Sequence, residues 1–272
     1  MKFIDLSGYR MSYRTAGSPQ DTALLLLHGN STSSELFNKQ VSEGIKGLYL
    51  LAPDFPGHGS SETPQDQELY SLQSLALAIK EFLQVLSIDK LIVYGVSLGG
   101  HVAMELAAIC PDMIGMMISG SPPMPLPLDM APYFTDDPII SLPFQPDISK
   151  EQAKAWADAC IYQDTKAKIL IAEMMLNTNP LFRTLFSAHI MAAHGTSDQR
   201  KLIENLHIPV SILHGKHEWL VKKEPLTRLK INNYFYGKII DVPNSVHVPA
   251  LENSAFFNKT IKAFSKFCLD QP

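Results

Sequence analysis

Residues 91–100 read LIVYGVSLGG: an apolar run, then Gly-x-Ser-x-Gly, then the start of a helical pattern. A serine at that spacing sits on a tight strand-to-helix turn, whose strained backbone exposes the hydroxyl. The turn leaves no space for side chains two residues away on either side, so Gly95 and Gly99 are required there. The helix that follows points its N-terminus at the serine, and its free N–H groups favour developing negative charge. Ser97 is therefore the candidate nucleophile, and the Leu98 main-chain N–H a candidate oxyanion donor. The bland alternative is a glycine-rich turn that only packs.

Outward from the elbow, short apolar runs alternate with helical stretches. Strand candidates are 23–27, 48–52, 91–94, 116–119, 210–213 and 238–241, apolar on both faces and bounded by Gly, Pro or Asp. Such runs suit a mostly parallel sheet covered on both sides. Residues 2–6 and 11–14 suggest an edge hairpin across Gly8. Helical periodicity runs through 69–86, 98–109 and 254–267. Strand–helix alternation of this kind indicates an α/β, doubly wound sheet. Residues 122–205 break the pattern. They open on the proline-rich SPPMPLPLDMAP and continue with helix candidates at 150–160, 166–176 and 180–193. We read 1–121 and 206–272 as a core and 122–205 as an inserted helical cap.

The remaining site residues follow from what Ser97 needs. The run LLLLHGN (24–30) ends a buried strand, and a second oxyanion donor comes from such a loop. Asn30 is that candidate, through its main chain, while His28 reads as a brace of the loop. Of nine histidines, His247 alone follows both the elbow and the expected acid, as the chain order Ser, Asp/Glu, His requires. The acid is expected after the strand VSILHG, where Glu218 stands, with Asp241 as competitor. Its task is to accept the Nδ1 proton of His247 and to fix the tautomer. Ser119-Gly120-Ser121 offers no carboxylate after the preceding strand. Asp54 and His58, in APDFPGHGSS, read as residues that shape a loop. The methionines around and within the cap suit either a flexible acyl pocket or ordinary core packing.

Composition narrows the function classes. Hydrophobic residues make up 46% and charged residues 18%, which excludes a disordered chain. The net charge is −4 with no long Lys/Arg run, so neither nucleic acid nor an anionic membrane is an expected partner. Three scattered cysteines argue against a disulfide framework, and the first residues lack a secretory pattern, so a cytoplasmic location is expected. No histidine spacing matches a metal motif, and neither metal nor other cofactor is expected. The expected partner is a small ester or lactone, bound by a monomer or homodimer.

Taken together, LLLLHGN, APDFPGHGSS, GVSLGGHVAMEL, HGKHEWLV and the His247 segment resemble the α/β-hydrolase superfamily over about residues 20–268. HGNSTSS also resembles the opening of haloalkane dehalogenases, which use an aspartate where Ser97 stands. HGNSTS, GHGSS, SLGGH, the turn at 119–123 and a glutamate at 218 resemble more closely the metal-independent N-acyl-homoserine lactone hydrolases of this fold. That resemblance implies lactone hydrolysis, a role in quorum-signal degradation, and a cap aromatic over the site, for which Trp156 is the nearest match. Two departures bear on the pocket. Val246 precedes the base where glycine is usual, and Trp219 follows the acid where proline is common. Trp219 is thereby a second candidate for contact with substrate. On the same triad, C–C bond hydrolysis, cofactor-free perhydrolysis and a ligand receptor on a hydrolase scaffold are the alternative functions.

Overall fold

The computed structural model describes residues 1–271. Eight strands build one sheet: β1 (Lys2–Asp5), β2 (Arg10–Ala16), β3 (Thr22–Leu27), β4 (Leu48–Pro53), β5 (Leu91–Val96), β6 (Met113–Ser119), β7 (Val210–Gly215) and β8 (Ile240–Val242). Their spatial order is β1-β2-β4-β3-β5-β6-β7-β8. From β4 to β8 every neighbouring pair is parallel, while β1 and β2 form an antiparallel hairpin on one side. This is the α/β-hydrolase fold.

Ten helices surround or cap the sheet: α1 (Asn38–Glu43), α2 (Leu72–Val85), α3 (Leu98–Ile109), α4 (Lys150–Cys160), α5 (Thr165–Asn177), α6 (Pro180–Met191), α7 (Gln199–Asn205), α8 (Lys223–Leu226), α9 (Pro249–Glu252) and α10 (Ser254–Leu269). The central strands divide two apolar cores by simple alternation. Leu25, Leu27 and Val93 face the core that takes Ile79 and Phe82 of α2 and Val102 of α3. Leu24, Leu26, Ile92 and Tyr94 face the other, which takes Phe257, Ile261 and Phe264 of α10. Both faces being covered explains why these strands read as unbroken apolar runs. Each fully buried leucine contributes about 1.5–3 kcal/mol relative to exposure.

Three expected elements start two or more residues away from their expected positions, among them β6, which begins at Met113 rather than 116. The helix expected over 69–86 begins only at Leu72, because Ser71 caps it by accepting the N–H of Ser74 at 3.1 Å. Leu69 lies in a separate 3-10 turn, Gln67–Tyr70. The last strand begins at Ile240 rather than 238. Tyr236 and Gly237 both take positive φ there, and the chain pairs with β7 only after leaving that turn. All eight strands lie outside residues 122–205, and α4 to α7 lie within them.

Arg183 of α6 is buried and braces this helical segment. Its guanidinium donates to the carbonyls of Gln145, Pro146, Met175 and Thr178. The turn before α4, the end of α5 and α6 itself therefore meet on one side chain. Among the described residues no helix is long and apolar enough to cross a membrane.

Candidate active site

The sheet reverses its winding at β3, which has β4 on one side and β5 on the other. In open α/β sheets a crevice forms at that point, outside the carboxyl ends of the strands. The residues after β3 and β5 are Asn30 and Ser97. A Cβ placed on Gly29 would lie 3.4 Å from the Cβ of Ser97, so the two loops touch.

Ser97 has φ 54° and ψ −119°, a left-handed conformation that L-residues avoid. It is held there from both ends. Its N–H donates to the Ser119 carbonyl at 2.9 Å, and its carbonyl accepts from Ser121 Oγ at 2.8 Å. A Cβ on Gly95 would run into the Gly99 carbonyl, and one on Gly99 into the Leu27 carbonyl. Both glycines are thus required by close backbone approach. Among the described residues, Ser97 Oγ makes no hydrogen bond and no acceptor pairs with the N–H of Leu98 or of Asn30. Leu98 opens α3, where an unpaired N–H carries partial positive charge.

The side chain of Asn30 is spent on the loop. Its Nδ2 donates to the Pro143 carbonyl at 2.7 Å, and its Oδ1 accepts from Ser31 Oγ at 3.2 Å. The loop carrying the main-chain N–H is therefore tied to the segment in front of α4. His28, fully buried, accepts the Phe55 N–H on Nε2 at 2.9 Å and donates from Nδ1 to the Gly29 carbonyl at 2.8 Å. His58 repeats the device, accepting from the Ser31 N–H and donating to the Pro56 carbonyl. Burial pushes both imidazoles below their ordinary range, which suits neutral struts rather than bases. Asp54 gathers Ser12 Oγ and the Ser34 N–H on its carboxylate and closes the same loop cluster.

Glu218 and His247 meet on the loops that follow β7 and β8. Glu218 Oε2 accepts from His247 Nδ1 at 2.7 Å, with both side chains buried, at 2% and 8% exposure. Glu218 Oε1 accepts from the Leu220 N–H at 2.8 Å, which fixes the carboxylate from behind. Burial pushes the Glu218 carboxyl up, but the His247 charge and hydrogen bond outweigh it and hold the group below its ordinary value. Burial pushes His247 down, but Glu218, with Glu252 further off, prevails and raises the imidazole above 6.5. Because Nδ1 is engaged, Nε2 is left facing the other way. The competing acid, Asp241, is half-exposed and paired with Lys223. The Glu218–His247 pair is thus formed with the carboxylate expected from the strand end.

Gly120 packs against His247 from the turn that holds Ser97. A Cβ on Gly120 would come within 2.5 Å of His247 Cε1, and Gly120 lies between the two residues, Ser119 and Ser121, that bond Ser97. Its φ of +61° adds a second reason for glycine. Trp156 of α4 is 8% exposed, with its ring centroid 6.5 Å from that of His247, edge-on. Its ring lies edge-on beside the imidazole. Trp219 does not join them. It is 43% exposed, and its Nε1 donates to the Ala159 carbonyl, so it pins the acid loop to the end of α4. Two contributors are invisible in the motif reading. Gly120 carries no functional group, and the partners of Glu252 are scattered along the chain. Among the described residues no three His, Cys, Asp or Glu side chains converge as a metal site.

Comparison with known proteins agrees with the fold. The family model described as alpha/beta hydrolase fold matches residues 22–153. The crystal structure of the N-acyl homoserine lactonase AidH complexed with N-butanoyl homoserine superposes with a TM-score of 0.92 at 28% identity, covering 100% of this chain and 98% of that one. The esterase RhEst1 from Rhodococcus sp. ECU1013 shares the fold, at TM-score 0.79 and 21% identity, over 96% of both chains. An uncharacterized protein of Mycobacterium tuberculosis is 35% identical over 118 residues, 43% of this chain. The match spans about a third of that relative's length, 33%.

Proposed function

We propose that this α/β-hydrolase-fold protein is an enzyme that cleaves a carboxylic ester or lactone through Ser97, His247 and Glu218, and that N-acyl-homoserine lactones are its substrate class. The observation that carries the reading is the buried 2.7 Å bond between His247 Nδ1 and Glu218 Oε2, beside a strained elbow serine. The likeness to a lactonase over the whole chain supports the substrate class.

In this mechanism Ser97 Oγ attacks the carbonyl carbon and His247 Nε2 takes the hydroxyl proton. Glu218 keeps the Nδ1 proton in place and stabilises the imidazolium. The carbonyl π pair moves onto oxygen, which the N–H groups of Asn30 and Leu98 receive. Collapse expels the alkoxide, and His247 returns the proton to it. For a lactone this new hydroxyl stays tethered to the acyl group. Water then repeats the sequence on the acyl-enzyme, with His247 again as base, and releases an open-chain hydroxy acid and free Ser97. Trp156 closes the space above the base and excludes bulk water.

The test is acid release in a pH-stat from a medium-chain N-acyl-homoserine lactone, beside p-nitrophenyl butyrate and a Ser97→Ala control. Lactone turnover far above the control is the expected result. Ester turnover without lactone turnover would retain the mechanism and discard the substrate class, and silence on both would discard the reading.

A further inference from the structure

Glu252 closes α9, just past His247 in the chain, and no step above uses it. Its carboxylate takes donors from both sides of the base. Oε2 accepts from Ser245 Oγ at 2.8 Å and from the Val248 N–H at 3.0 Å. The Val246 N–H lies 3.0 Å from each oxygen. Oε1 also accepts from the Tyr162 N–H at 2.8 Å, on the chain that leaves α4. In the same place the His247 N–H donates to the Cys160 carbonyl at 3.0 Å. One carboxylate therefore grips the residues flanking His247 and the end of the helix that carries Trp156.

All four donors are neutral, and Glu252 is largely withdrawn from water. Such neutral donors could be satisfied by water or by a carbonyl, so a carboxylate largely withdrawn from water in that role has a cost that needs a return. Burial holds the Glu252 carboxyl above 4.5 despite those donors. The return we identify is at His247, which this second negative charge makes more basic.

We infer that Glu252 is the positioning residue of the base: it fixes the loop of His247 against the α4 segment and so sets the direction in which Nε2 faces Ser97. This rests on the hydrolase reading above. It does not touch substrate in this arrangement. Its influence runs through the Ser245 hydroxyl, through the backbone at residues 246 and 248, and through its charge. The charged groups acting on the His247 imidazole are Glu218 from the loop after β7 and Glu252 from α9; the buried Cys160 thiol of α4 is pushed up by burial and by the same two carboxylates. His214 of β7 acts on it through Glu218. With the negative charge of Glu252 removed, His247 gives up its proton at lower pH.

Two measurements separate this inference from the hydrolase reading. The first follows the His247 imidazole by NMR across pH in the wild type, Glu252→Gln and Glu252→Asp. The second follows labelling of Ser97 by a fluorophosphonate, with Ser97→Ala as blank. In Glu252→Gln the imidazole is expected to titrate at lower pH than in the wild type. Labelling should slow about tenfold, the size of a disturbed general base, with its acid limb moved the same way. Glu252→Asp keeps the charge and should restore the titration but only part of the rate. A residue that merely stabilised the loop would lower the melting temperature and leave the titration in place. An unmoved titration with labelling within about twofold of wild type overturns the inference. If the wild type is not labelled, the hydrolase reading fails, and the NMR titration alone still decides whether Glu252 governs the imidazole. If Glu252→Gln does not fold, Ser245→Ala removes one of the hydrogen bonds and no charge. Labelling a few-fold slower is then expected, and wild-type labelling overturns the inference.

Discussion

At the scale of single residues, the site rests on a backbone held where side chains are disfavoured. Ser97 sits at φ 54° with two hydrogen bonds and two close glycine contacts keeping it there. A residue in such a region carries about 1–3 kcal/mol of strain, which glycine would relieve. Ser97→Ala is expected to lower turnover roughly 10,000-fold with the melting temperature near that of the wild type. Ser97→Gly should be equally inactive and melt about 2–4 °C higher than Ser97→Ala in a thermal scan, for roughly 1 kcal/mol of relieved strain. Equal melting of the two variants would show the strain to be absent. The base gives a second prediction. His247 must be neutral to take a proton, and its imidazole is raised above 6.5, so it stays protonated past the ordinary point. Activity therefore rises with pH, and the midpoint of the acid limb of kcat/KM lies above 6.5. A midpoint at or below that value in a pH–rate profile would contradict the pairing with Glu218. Ser97, His247 and Glu218 were legible because each stands at a strand end in a fixed chain order. Glu252 was not, since its four donors come from positions 162, 245, 246 and 248 and only the fold collects them.

At the scale of elements, the elbow requires β5 and α3 to approach the carbonyls of Leu27 and Gly99 without a side chain between them. Gly99→Ala is expected to cost about 1–3 kcal/mol, as overpacking against unyielding backbone does. The matching fall in melting temperature is several degrees. The loop after β3 makes a separate prediction. Asn30→Ala keeps the main-chain N–H but removes the bond from Nδ2 to the Pro143 carbonyl. Activity is expected to fall about tenfold with a stability loss near 1 kcal/mol, measured by steady-state kinetics beside a thermal scan. Unchanged kcat would mean that the loop holds its position without the side chain. The long strands were readable because apolar runs covered on both faces leave a strong signal. The short helices α1, α8 and α9 span only 4 to 6 residues, too few for a period of 3.6 to register. The start of α2 was displaced because a capping serine, not the apolar spacing, decides where that helix begins.

At the scale of the molecule, a helical segment sits over a sheet and is knitted to it from several directions. Arg183 gathers four carbonyls within that segment, and Asn30 joins its leading turn to the sheet. Arg183→Leu should leave those carbonyls without their donor and cost about 3 kcal/mol or more. A drop of roughly 10 °C in the unfolding transition is expected. A fall of under 2 °C would mean that water replaces the guanidinium at no loss. The sequence could announce a helical insertion but not this knot, because nothing in the neighbourhood of Arg183 marks its partners. The order of the sheet has a further consequence. β5, with the serine, lies near its middle, while β7 and β8, which deliver the acid and the base, are the last two strands in the chain and the outermost on one side. During synthesis Ser97 emerges long before His247, and α10, which packs against both β5 and β8, emerges after them. Under the mechanism proposed above, a nascent chain on the ribosome has an elbow without a proton acceptor until β7 and β8 have joined the sheet.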